Sequence, residues 1–197
     1  MSAADLRLEY LAALRSTEVR DLAPLFGAGV PRSAIAITMP AIDHVTVDGA
    51  LYRPDPDGAA AFVMPVRADD PLTPEALDPA EIIAEGPIVD LLAMHPRHPN
   101  RWALRTGAAT WLGAVEPQRM GPDIVHIHRT PLDWLQADCT GLVLLSPDRR
   151  DRYRLLASLT AIAAADESHA VELRDLLSRP WAAPPVIVAR REQRHAA

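Results

Sequence analysis

Lysine is absent from this 197-residue chain: all 20 of its basic residues are arginine. That excludes Schiff-base lysine chemistry and the lysine of a phosphate-binding loop. Any anion must be held by guanidinium groups, which grip carboxylate and phosphate as a fork. The same bias, with abundant alanine and proline, fits the codon usage of a GC-rich genome. Cysteine is scarce as well. Cys139 alone cannot form an internal disulfide or a thiolate metal cluster. No apolar run approaches the roughly 20 residues that cross a bilayer. The opening MSAADLRLEYLAALR is charged every few residues and does not read as a secretory signal. Together these absences point to a cytoplasmic protein with no membrane partner. No G-x-S-x-G, G-x-G-x-x-G or G-x-x-x-x-G-K motif occurs. The net charge of −6 argues against a protein that coats nucleic acid over its whole surface, but leaves room for a local basic patch.

What is present is a globular composition, 49% apolar, sufficient for one well-buried core. We expect a single domain over 1–190 and a frayed polar tail over 191–197. Leu6, Tyr10, Leu11 and Leu14 recur at helical spacing, and Thr17-Glu18-Val19-Arg20 opens a second short helix ending at Gly27 and Gly29. Ser33 to Thr38 reads as a strand. Asp48-Gly49 between two β-prone runs predicts a hairpin, with Ala60 to Met64 a third strand whose Pro65 suits an edge or strand end. Residues 68–79 read as a surface loop. Ile88 to Met94 and Arg101 to Arg105 read as strands around the turn HPRHPN. Trp111-Leu112-Gly113 reads as the end of a short helix. Further on, IVHIH precedes Thr130-Pro131 and LVLL precedes Ser146-Pro147. Thr130 and Ser146 are expected N-caps, each with proline at the first helical position and Asp133 reaching back to the first cap. Residues 148–178 read as two helices broken near Asp166, which caps the second. The alternative makes Thr160 to Ala164 a strand of a second βαβ unit. Pro185 to Ala189 reads as a final strand. The fold class is therefore α/β, with mixed α+β as the variant: N-terminal helices, a partly antiparallel sheet, then βαβα units.

Four of the seven histidines and three of the four tryptophans fall between His95 and Trp134. On a strand, His126 and His128 share one face, with Val125 and Ile127 on the other. An H-x-H strand pair can offer two nitrogens to zinc, with His95, His98, Asp90 or Asp133 as a third ligand. The bland reading is the polar face of an amphipathic strand. His95 and His98 sit in a proline-stiffened turn with Arg97 and Arg101, which suits an anion but also describes an ordinary tight turn. Trp102, Trp111 and Trp134 can stack on bases, though packing explains at least two of them. Under the βαβ alternative, Asp148 and Asp166-Glu167 follow strand ends, where carboxylates can hold Mg²⁺. That arrangement is loosely similar to the metal site of Toprim-type nucleic-acid enzymes, without the glutamate expected after the first strand. Helix capping accounts for both aspartates more simply. Cys139, at an apparent helix end, reads as a small buried apolar residue.

The stretches DLLAMHPRHPNRWALRTGAATWLG and RTPLDWLQADCTGLVLLS carry a resemblance to uncharacterised accessory proteins borne by prophages and plasmids of GC-rich proteobacteria. It covers about half the chain, from Pro87 to Pro180, and contains no catalytic motif. It implies a mobile-element setting and no mechanism.

The leading expectation is a non-enzymatic accessory protein without a cofactor, binding a protein partner or nucleic acid. The contact would be a local patch of Arg97, Arg101, Arg105 and Arg129, with Arg119, around Trp102. A competing arrangement pairs these arginines with Asp90, Glu116, Asp123 and Asp133. The alternatives are a nuclease or phosphoryl hydrolase using Zn or Mg at His126, His128, His95 and His98, and a structural module of a larger assembly.

Overall fold

The computed structural model describes residues 1–67, 88–113 and 124–178. The expected loop at 68–79, the strand at 185–189, the tail at 191–197, and Glu116, Arg119 and Asp123 lie outside them.

Helix α1 (Ala3–Ser16) opens with a capping box between Ser2 and Asp5 and buries Leu6, Tyr10 and Ala13. A 3-10 turn (Val19–Leu22) runs into α2 (Ala23–Gly27), close to the expected second helix. Residues expected as a strand instead form α3 (Arg32–Thr38). Its isoleucines and Thr38 favour a strand locally, but Ala34 and Thr38, four apart, share the buried face. Packing of that face overrides a weak propensity.

Five strands then close a barrel in the order β1-β2-β5-β4-β3. They are β1 (Ala41–Asp48), β2 (Leu51–Pro54), β3 (Ala59–Arg67), β4 (Ile88–His95) and β5 (His98–Leu104). The β1–β2 hairpin forms as expected, displaced by one residue. Asp48 pairs with Leu51, so Gly49 and Ala50 make the turn, and Gly49 takes the positive φ of 61° that only glycine adopts cheaply. Pro65 lies within β3 but beyond Val63, the last β3 residue paired with β1, so its missing N–H breaks no bond to β1. One face of the wall, rich in alanine, packs with α1: Ala41, Ala61, Val63, Leu91, Ala93 and Ala103 meet Leu6, Tyr10 and Ala13. The other face presents Phe62, Met64, Leu92, Met94 and Leu104 to the rest of the protein.

The second half is a four-stranded sheet in the order β6-β8-β7-β9. It comprises β6 (Trp111–Leu112), β7 (Ile124–His128), β8 (Leu142–Leu144) and β9 (Ala161–Ala164), with α4 (Pro131–Gln136), α5 (Arg149–Ala157) and α6 (Glu167–Ser178) between and after them. Both β8 and β9 run parallel to β7, one on each side. The α/β class is thus observed: N-terminal helices, a mixed barrel, then β–α units.

Three local expectations are corrected. Trp111-Leu112 is a strand, paired with Leu144 and Val143, because β8 otherwise has a bare edge. The break in 148–178 is not a helix–helix joint but β9. Ala161 to Ala164 favour helix, yet Ile124 to Ile127 need partners on their second edge. Ser146 is not the N-cap of α5; Asp148 is, its carboxylate accepting from the Arg150 N–H. Thr130 does cap α4, with Pro131 at the first position and Asp133 completing the box.

Candidate functional site

The topology singles out one place. From β7 the chain crosses by α4 to β8 on one side, then by α5 to β9 on the other. The connections therefore diverge between β7 and β9, and open α/β sheets leave a crevice at the carboxyl ends of strands where that happens. A crevice of about 410 Å³ lies beside the carboxyl ends of β7 and β8, lined by Trp102 from the barrel, His128 at the end of β7 and Arg129 after it, Leu144 of β8, Arg149 and Arg152 of α5, and His169 of α6.

Arg129 is fixed from one side. Its guanidinium donates to both oxygens of Asp166 at 3.1 and 3.0 Å, to Glu172 at 3.0 Å and to Ser168 at 3.1 Å. Hydrogen bonding by Arg129 holds the Asp166 carboxyl down at about 2 and raises the arginine further above its ordinary value. Arg149 donates to the carboxylate and backbone carbonyl of Asp175 at 3.2 and 2.9 Å. The Arg152 Nε donates to the Ser146 carbonyl. Asp166 also caps α6, accepting from the His169 N–H at 2.8 Å, as expected. His169 is 6% exposed. Burial, and next Arg129, push its pKa below the usual imidazole range. Its Nδ1 accepts from the Ala165 N–H at 3.2 Å, which puts the ring proton on Nε2.

A second group lies at the tip of the β4–β5 hairpin. His95 pairs with His98, leaving Pro96-Arg97 as the turn. The His95 Nδ1 accepts from the backbone N–H groups of Arg97 and His98 at 3.1 and 3.2 Å, and the two rings lie 5.1 Å apart. Partial burial, then the positive neighbours His98, Arg101 and Arg97, lower the His95 pKa. Arg97 and Arg101 are exposed, and neither has an ion-pair partner among the described residues.

The arginines expected to converge are thus distributed over three places. Arg97 and Arg101 share the hairpin tip. Arg129 and Trp102 share the crevice. Arg105 lies apart, donating to Glu9 of α1 at 2.9 and 3.0 Å, over the Tyr52 ring. Asp90 and Asp133, read as ligands or arginine partners, are occupied otherwise. Asp90 accepts backbone N–H groups and Asp133 caps α4. His126 and His128 do share one face while Val125 and Ile127 are buried. His128 Nε2 lies 2.9 Å from the Thr140 carbonyl. Among the described residues, no three His, Cys, Asp or Glu side chains gather as metal ligands. Trp134 is buried, its indole N–H donating to the Gly141 carbonyl, and Trp111 packs on the second sheet. Burial, then Asp138, pushes the Cys139 thiol up to about 12, so it is no nucleophile at neutral pH.

Sequence reasoning missed Arg149, Arg152 and His169. The signal was the βαβ alternative, which sets the ends of β7, β8 and β9 side by side. No helix among the described residues is long and apolar enough to cross a membrane. No family model, curated protein or solved structure matches the chain.

Proposed function

We propose that the protein is a non-enzymatic accessory protein that binds nucleic acid through the β4–β5 hairpin, in the mobile-element setting its sequence resembles. One observation carries this reading: Arg97 and Arg101 stand exposed, with His95 and His98, and without an acidic partner among the described residues. Elsewhere on this acidic chain, Arg105, Arg129 and Arg149 are each paired with a carboxylate. An uncompensated pair of guanidinium groups, Arg97 on the turn and Arg101 on β5 beside it, is suited to phosphate oxygens. It positions a backbone and reads no sequence.

The test is binding of labelled single- and double-stranded DNA and RNA across a salt series. Each phosphate contact contributes about 0.7–0.9 to the log–log salt slope, so the double variant Arg97→Ala/Arg101→Ala should flatten it by about 1.5. Burial and positive neighbours lower the His95 pKa, so that ring adds charge only as the pH falls below 6.5, and binding should tighten there. No binding of any of the four at low salt, or an unchanged slope, rejects the nucleic-acid reading and leaves a protein partner for the hairpin.

A further inference from the structure

The crevice is a different site from the hairpin and calls for a different ligand. We propose that it binds a phosphate ester joined to a planar ring, of mononucleotide size. A volume of about 410 Å³ lies within the range of small-molecule sites. Its position, beside the carboxyl ends of the parallel strands β7 and β8, is the end of an open α/β sheet that takes ligands. Its chemistry is divided. Trp102 supplies a half-buried aromatic wall from the barrel, suited to a ring. Arg152 of α5, without an ion-pair partner among the described residues, supplies the cation suited to a phosphate, with the paired Arg149 beside it.

Glu172 and Asp175 also line the crevice, each engaged by an arginine. Asp166 and Glu172 hold Arg129, and Asp175 holds Arg149, so both guanidinium groups are oriented before a ligand arrives. Holding a fork in place reduces the ordering that binding must impose. His169 adds a neutral donor. With Nδ1 engaged, its remaining N–H belongs to a residue that lines the crevice and is 6% exposed.

A free nucleotide and the phosphorylated end of a strand share this chemistry. Calorimetric titration with AMP, adenosine, inorganic phosphate, and a short oligonucleotide with and without a 5′-phosphate separates the two. We expect AMP to bind at least about tenfold more tightly than adenosine or phosphate alone, since ring and charge both contribute. Preference for the 5′-phosphorylated oligonucleotide over AMP assigns the site to strand ends; the reverse assigns it to free nucleotides. Trp102→Ala and Arg149→Ala should each weaken binding by about tenfold. Arg149 forms an exposed pair, so its loss should leave the melting temperature nearly unchanged. Arg97→Ala/Arg101→Ala should leave AMP binding intact, which separates failure here from failure of the hairpin reading. No binding of AMP by the folded protein, together with no preference for the 5′-phosphorylated oligonucleotide over its unphosphorylated form, overturns the proposal. So does AMP binding that survives both crevice variants.

Discussion

Asp90 shows what a fully buried carboxylate can do without chemistry. It accepts from the N–H groups of Thr106, Ala108 and Ala109 at 2.9, 2.8 and 3.2 Å, and from Leu91 at 2.9 Å. It thereby pins the chain leaving β5, and the crevice wall at Trp102 stands on that strand. Nothing in the sequence announces this role, because the donors are main chain and carry no residue signature. Removing the acceptor leaves several inward N–H groups unpaired, at about 1–3 kcal/mol each. Asp90→Ala should therefore lower stability by about 3 kcal/mol in denaturant unfolding. A change below about 1 kcal/mol would contradict the account. Asp166 makes the opposite case, an exposed carboxylate whose partner is charged. Its pKa is depressed from 3.8 to about 2, chiefly by the Arg129 hydrogen bonds. An unfolded chain then binds more protons than the folded one in that window, so the Arg129 latch is intact above it and lost as the pH falls from 3.8 toward 2. The stability gap between the native chain and Asp166→Asn, which keeps an N-cap residue, should close over that window. A pH-independent gap in urea titrations would show that the pairing is not what Asp166 contributes.

At the scale of elements, what could be read was what local chemistry decides. Thr130-Pro131-x-Asp133 forms the capping box it spells, with the Asp133 N–H donating to the Thr130 hydroxyl at 3.2 Å and the Asp133 carboxylate accepting from the Thr130 N–H at 3.0 Å. Asp48-Gly49 makes a hairpin, and the alternation of IVHIH sets which side chains are inward. What could not be read depends on partners distant in sequence. Arg32 to Thr38, Trp111-Leu112 and Ala161 to Ala164 each contradict or blur their own propensity to satisfy a neighbouring face or edge. The crevice inherits that difficulty, since α6, which lines it, follows β9. The second cap is ambiguous in the sequence because Ser146 and Asp148 are both capping residues two apart. Asp148 takes the cap, while the Ser146 hydroxyl accepts from the Asp148 N–H at 3.1 Å. Thr130→Ala and Asp148→Ala should each cost about 1 kcal/mol. Gly141 is a sterner test of the sheet. Its φ is 80°, and an added Cβ would collide with the His126 carbonyl, where β7 and β8 approach. Gly141→Ala should thus cost more than either cap in thermal melts. A milder effect would mean that the β7–β8 approach is looser than described.

The whole molecule is joined by one apolar cluster. Phe62, Met64, Leu92 and Met94 of the barrel, and Leu22 and Leu25 of the N-terminal helices, meet Trp134, Leu135, Val143 and Leu145 of the second half. The crevice opens along this joint, with Trp102 on one bank and Arg129 on the other. Its geometry therefore exists only while the two halves stay docked. Leu135 is the place to test the docking, because it is 0% exposed and sits on α4 between barrel and sheet. Leu135→Ala removes buried methyl groups and leaves a cavity, at a cost of about 2–5 kcal/mol. If the halves share a core, that cost falls on both. Near-ultraviolet dichroism, which reports on tryptophans of both halves, and hydrogen exchange of barrel amides in Leu91 to Met94 should then lose structure at the same denaturant concentration, shifted together by the substitution. Barrel amides that keep their protection while the dichroism shifts would show two independent units. The crevice would then be a contact between neighbours, with no fixed geometry to present to a ligand.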